Sequence, residues 1–176
     1  MSPHRIGVIG ISGSGKSALA RKLATKTGLP LFHMDQLFWK GNWEATPEPK
    51  YLERHKELIG KERWIIEGYV DEPMADRLQS ADLVLYLDYP GYVCAWRAIK
   101  RWLMHRRTAR PELPEDARER LEFPFVWMVF NRGERPGIER ALIKATPAHL
   151  VRLHSPREAE SVQAQASVCP SPKFAR

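Results

Sequence analysis

Residues 5–28, RIGVIGISGSGKSALARKLATKTG, limit what this chain can become more than any other stretch. Gly10, Gly15, Lys16 and Ser17 satisfy the spacing G-x-x-x-x-G-K-[ST] of a phosphate-binding loop. The apolar run 6–9 ahead of the loop has the length of a buried parallel strand. Behind the loop, Leu19, Ala20, Leu23 and Ala24 recur at helical spacing, and Thr27, Gly28 and Pro30 mark the helix end. Strand, glycine-rich turn and helix, in that order, are the context the motif demands.

The chemistry follows from the residue types. Gly10, Gly13 and Gly15 allow torsions and close approaches that a Cβ forbids, so successive N–H groups, from Gly10 through Ser12 and Ser14 to Ala18, can turn inward around phosphate oxygens. The helix start near Gly15 adds its positive dipole end to the same place. Lys16 suits the bridging of β- and γ-phosphates, and the Ser17 hydroxyl suits a shared Mg²⁺. The expected ligands are a nucleoside triphosphate, taken as ATP, and Mg²⁺.

A length of 176 residues suits one domain with a proper core, expected over 1–166 with a disordered tail at 167–176. Cys94 and Cys169 lie far apart without metal or redox spacing, so Cys94 reads as a small core residue and the compartment as reducing. No apolar run approaches the ~20 residues of a membrane span, and the first strand begins almost at the N-terminus, so a cytoplasmic protein without membrane contact is expected. Its state is expected to be a monomer or a homodimer. The formal charge of +7 calls for a polyanionic partner, either a nucleotide or nucleic acid.

Further strands are expected at 29–34, 64–66, 82–88 and 149–153, alternating with helices. Asp35, Glu67 and Asp88 each stand at the end of such a strand, on the edge where open α/β sheets bind ligands. Asp35 is a candidate for the acceptor site, with helix capping as the plainer reading. Glu67, just before Gly68, is a candidate for orienting Mg²⁺ or its water. Trp39 and Trp43 sit in an aromatic loop at 36–49, where their rings could stack a planar substrate or pin the loop to the domain. Thr46 and Pro47 read as the cap and first residue of the next helix, and residues 72–79 as one short helix. Between 97 and 110 lie Arg97, Lys100, Arg101, Arg106, Arg107 and Arg110 with no acid among them, either a phosphate-engaging lid or a solvated basic face. The run FPFVWMVF at 123–130 reads as a helix buried against the core.

These elements predict an α/β, three-layer P-loop NTPase fold, a five-stranded parallel sheet with helices on both faces and a short arginine-rich lid. The motifs GISGSGKS at 10–17, HMDQLFWKGNW at 33–43, WIIEGY at 64–69 and LYLDYP at 85–90 resemble those of adenylate-kinase-like P-loop kinases. Within that group they are most similar to bacterial proteins labelled DNA topology modulation proteins. The resemblance implies that Arg97 and Arg101 engage the transferred phosphoryl group, that Arg106, Arg107 and Arg110 belong to a lid at 101–120, and that 36–60 carries the acceptor. It does not extend to the acceptor arginines of adenylate kinases: Asp71 stands at one such position, and the other, near Phe38, is missing. Arg77 is the candidate replacement.

The expectation is a Mg-ATP-dependent small-molecule kinase. Lys16, Asp35, Arg97 and Arg101 would be catalytic, Ser17 and Glu67 would serve the metal, and Asp35, Trp39, Trp43, Gly68 and Arg77 would shape the acceptor site. The alternative is a nucleic-acid-associated protein that uses ATP as a switch, which the positive charge permits.

Overall fold

A computed structural model describes residues 3–40, 44–105 and 122–166. Five strands, β1 (Arg5–Gly10), β2 (Leu31–His33), β3 (Trp64–Glu67), β4 (Leu83–Leu87) and β5 (Leu150–Leu153), form one parallel sheet in the order β2-β3-β1-β4-β5. Trp64, Ile65, Ile66, Val84, Tyr86, Val8 and Ile9 are fully or almost fully buried, which explains why the middle strands read as unbroken apolar runs. The register sets Val8 beside Glu67, Gly10 beside Leu87 and His33 beside Glu67, so the ends of three strands converge on the loop after β1.

Helices α1 (Lys16–Thr27), α2 (Met34–Phe38), α3 (Glu48–Ile59), α4 (Asp76–Ser80), α5 (Gly91–His105), α6 (Phe123–Phe130), α7 (Arg135–Ala145) and α8 (Pro156–Ala166) cover the sheet. α1 closes where expected, with Gly28 at φ 67° donating its N–H to the Ala24 carbonyl. α8 opens on a capping box: the Ser155 hydroxyl donates to Glu158 Oε1 at 2.8 Å, and Glu158 Oε2 accepts the His154 N–H at 3.0 Å. Among the described residues no helix is long and apolar enough to cross a membrane.

Four expectations change. β2 ends at His33, so Asp35 belongs to the first turn of α2 and not to a strand end. Pro47, not Thr46, caps α3, because the Thr46 hydroxyl is already donated to the Leu37 carbonyl at 2.8 Å. The stretch 72–79 is a 3₁₀ turn (Glu72–Met74) followed by α4. α6 buries only Val129 fully; Phe123 (79% exposed) and Trp127 (59%) stack outward with Phe130, since a helix apolar on every side can turn only one face to α5 and the core. Of the expected lid only 101–105 lie among the described residues, and the expected tail lies outside them.

His55, on the inner face of α3, is buried with its Nε2 unpartnered among the described residues. Burial, helped by the Arg77 charge, pulls its pKa from 6.5 to about 4. The unfolded chain therefore takes up this proton before the folded one, and the stability that neutral His55 allows is present above pH 6.5 and lost as the pH falls toward 4. His55→Leu should flatten that limb of a urea-unfolding series across the same window; a slope equal to the wild type's would remove His55 as its source.

Candidate functional site

The loop between β1 and α1 wraps back on itself through the Ser14 N–H, donated to the Ile11 carbonyl at 3.2 Å. Gly13 is indispensable to its path: φ is 76°, and a Cβ there would lie 2.2 Å from the Cys94 carbonyl oxygen at the start of α5. That contact docks α5 on the loop. Arg97, one turn further along α5, donates to the Ser14 carbonyl at 2.9 Å and lies 5.5 Å from the Tyr89 ring centroid. Cys94 is buried, and burial pushes its thiol up to about 11, consistent with a core residue.

Lys16 donates from Nζ to the Ile11 carbonyl at 3.0 Å, holding its charge inside the loop. The Ser17 hydroxyl donates to Glu67 Oε1 at 3.1 Å, and the same oxygen meets His33 Nδ1 at 2.6 Å. Burial alone would raise the Glu67 pKa, but the His33 hydrogen bond, the Lys16 charge and the Ser17 hydroxyl together bring it below the usual carboxylate value. Glu67 is thus an ionised carboxylate, 1% exposed, directly behind Ser17. An ionised carboxylate and a hydroxyl are hard oxygen donors suited to Mg²⁺, which commonly takes one or two protein ligands and completes its shell with water and phosphate. Among the described residues no cluster of three or more His, Cys, Asp or Glu offers a fuller protein cage.

The loop forms the floor of a cleft of 1250 Å³. Ser12, Gly13, Ser14, Gly15, Lys16, Ser17 and Ala18 line it, as do Asp35, Trp39, Arg97 and Arg101. Gly10 does not line the cleft; it packs against Leu87 at the loop's base. Gly68, at φ 149°, lies against Met34, where a Cβ would come within 2.7 Å of the Met34 side chain. Trp39 packs edge-on to Phe38 at 4.7 Å, and an isolated bridge from Trp39 to Ala45 closes the aromatic loop. Trp43, Arg106, Arg107 and Arg110 lie outside the described residues.

Two expected participants are placed elsewhere. Arg77 is fully buried and off the cleft, donating through Nη2 to the Tyr69 carbonyl at 2.8 Å. Asp88 is also buried and off the cleft, because it binds arginines: Arg132 on Oδ1, Arg135 at 3.1 Å on both oxygens, and Arg152 at 3.5 Å.

That clamp delivers a residue the sequence did not single out. With Arg132 and Arg135 anchored at the end of β4, Glu134 between them reaches the loop, accepting from the Ser12 N–H at 2.5 Å and the Ser12 hydroxyl at 3.0 Å. His33 was missed as well, although its pairing with Glu67 follows from the β2–β3 register.

The parallel five-stranded sheet, its helices and the loop between β1 and α1 together define an α/β P-loop NTPase fold. No protein-family model matches the chain, and no curated protein matches it. Among solved structures the chain is similar to a shikimate kinase from Acinetobacter baumannii in complex with shikimate, with a TM-score of 0.55 and 16% identity over 92% of this chain and 89% of that one. It is also similar to a kinase candidate from Chloroflexus aurantiacus, with a TM-score of 0.56 and 17% identity over 92% and 96% of the two chains. At such identities the likeness is one of fold.

Proposed function

We propose that this protein is an ATP-dependent small-molecule kinase of the adenylate-kinase-like P-loop type. The observation that carries this reading is the placement of Asp35 in the same cleft as Lys16, Ser17 and Arg97. The loop amides and Lys16 hold the triphosphate, and Ser17, with Glu67 behind it, would hold a Mg²⁺ whose chemistry would be charge neutralisation at the phosphates. The acceptor hydroxyl oxygen attacks the γ-phosphorus while the bond from that phosphorus to the β–γ bridging oxygen breaks and the diphosphate leaves. Asp35 takes the hydroxyl proton. Arg97 and Arg101, both lining the cleft, face the charge that accumulates on the migrating phosphoryl group. The motifs at 10–17, 33–43, 64–69 and 85–90 support the adenylate-kinase-like placement. Cations that line a cleft also favour a kinase over a DNA-binding face.

Transfer of label from γ-³²P-ATP to a panel of hydroxyl acceptors tests the reading. Labelled product is expected with the wild type and a loss of about 10²-fold or more in kcat with Asp35→Asn; ATP turnover with no labelled acceptor would sink it. Glu134 occupies Ser12 donors that a triphosphate would use and sets a negative charge against it. Glu134→Gln should therefore tighten ATP binding about three- to tenfold, roughly 0.7–1.4 kcal/mol, in a titration with a fluorescent ATP analogue. Weaker binding in the variant would show instead that Glu134 shapes the loop for its ligand.

A further inference from the structure

The sheet order divides the cleft. The loop follows β1, the middle strand, so the segments after β4 and β5 wall one end and those after β2 and β3 wall the other. On the β4–β5 side α5 brings Arg97, Lys100 and Arg101, and Glu122, Glu134 and Glu160 line the same side. On the β2–β3 side the lining residues between 34 and 74 include three carboxylates, Asp35, Glu48 and Asp71, and no lysine or arginine. Arg77 is fully buried beneath this wall and does not line the cleft: its Nη2 donates to the carbonyls of Tyr69 and Gly68, its Nε and Nη1 have no partner among the described residues, and its charge offsets part of the negative charge.

Asp71 Oδ1 has no hydrogen-bond partner among the described residues although the atom is buried. Burial raises the Asp71 pKa, against the backbone N–H groups of Asp71 and Met74 and the Arg77 charge, which lower it. Trp39 and Tyr51 add aromatic surface, backed by Phe38 at 4.7 and 5.2 Å from their ring centroids. Carboxylates beside aromatic faces receive hydroxyl and ammonium groups well. A second anion there would meet like charge.

We infer that the phosphoryl acceptor is a hydroxyl compound carrying no negative charge, a polyol or amino alcohol whose donors reach Asp35 and Asp71 while an apolar face lies on Trp39 and Tyr51. This rests on the kinase reading above. It assigns the acceptor class by the wall after β2 and β3, where the lining carries carboxylates and aromatic rings and no lysine or arginine, while the arginines and lysine of α5 stand on the opposite side.

Matched acceptors that differ in charge at one position test it: glucosamine, glucose and glucuronate as one series, adenosine and AMP as another, each with γ-³²P-ATP. A fluorescent ATP analogue reports separately on the donor site. The uncharged or amine-bearing member of at least one series should be labelled with kcat/KM about tenfold or more above its anionic partner, the equivalent of 1.4 kcal/mol. Asp71→Asn should narrow that ratio severalfold, and Asp71→Glu should restore part of it. Labelling of glucuronate or AMP as good as that of the uncharged partner overturns the acceptor class and leaves the kinase reading standing. Absence of labelling in both series while the analogue still binds overturns both. A ratio unchanged by Asp71→Asn overturns the role given to Asp71.

Discussion

On the kinase reading, Lys16→Met should lower phosphoryl transfer by about 10²- to 10³-fold, the usual cost of removing one preorganised charge-stabilising donor. Methionine keeps the apolar stem and discards the charge, so the loss reports on the ammonium group alone. In the structure that group rests on the Ile11 carbonyl at 3.0 Å, inside the loop and close enough to Glu67 to help keep its carboxylate ionised. A triphosphate bound as proposed would exchange one bond to a backbone carbonyl for contacts with phosphate, which are stronger because both partners are charged. Lys16 supports no core packing, and the thermal midpoint of the variant should stay close to that of the wild type. Steady-state kinetics with a labelled donor, read beside a thermal melt, make the measurement. Turnover within about threefold of wild type would mean that Lys16 is not the residue that stabilises the transferring group.

Asp88→Ala has the largest expected effect on stability. The Asp88 side chain is 4% exposed and meets Arg132, Arg135 and Arg152, which also reaches Glu139 through two hydrogen bonds at 2.8 and 2.7 Å. Removing one partner of a buried ion pair typically costs about 3–5 kcal/mol; with the three arginines each about a third exposed and able to find water, about 2–3 kcal/mol is the better figure. For a chain of this size that lowers the melting midpoint by roughly 5–10 °C. The clamp also aims Glu134 at Ser12, so the variant should bind an ATP analogue as the Glu134→Gln protein does. A midpoint within about 2 °C of wild type would show that the arginines repack without Asp88.

The legibility of the site followed chain distance. Gly10 through Ser17 could be read as a phosphate cradle because every residue that shapes it lies within one turn and the start of one helix. Glu67 was legible from a second local signal, a carboxylate where an apolar strand ends, and its bond to Ser17 bears on that reading directly. Glu134 was not legible, because its partner Ser12 lies 122 residues away and nothing in NRGERPG announces it. Asp88 ends its strand much as Glu67 does, yet three arginines from later elements hold it off the cleft. Arg77 looked like a ligand residue because its charge was visible and its burial was not. The apolar run Phe123–Phe130 lacks a polar face to show which side turns outward, so composition suggested burial where packing against α5 leaves an aromatic ridge exposed.

By itself, then, the sequence determined the strand-loop-helix unit, the alternation that yields a parallel sheet, and the position of Lys16 and Ser17 where the loop enters α1, since these depend on backbone torsions and short-range periodicity. Only the tertiary structure decided the polarity of the cleft. Sheet order places the arginines of α5, with Glu122, Glu134 and Glu160, on one side of the loop and Asp35, Glu48 and Asp71 without a lining lysine or arginine on the other, and burial takes Arg77 and Asp88 out of contact. Charges far apart in the chain acquire a function only when folding fixes which of them face each other and which are withdrawn from water.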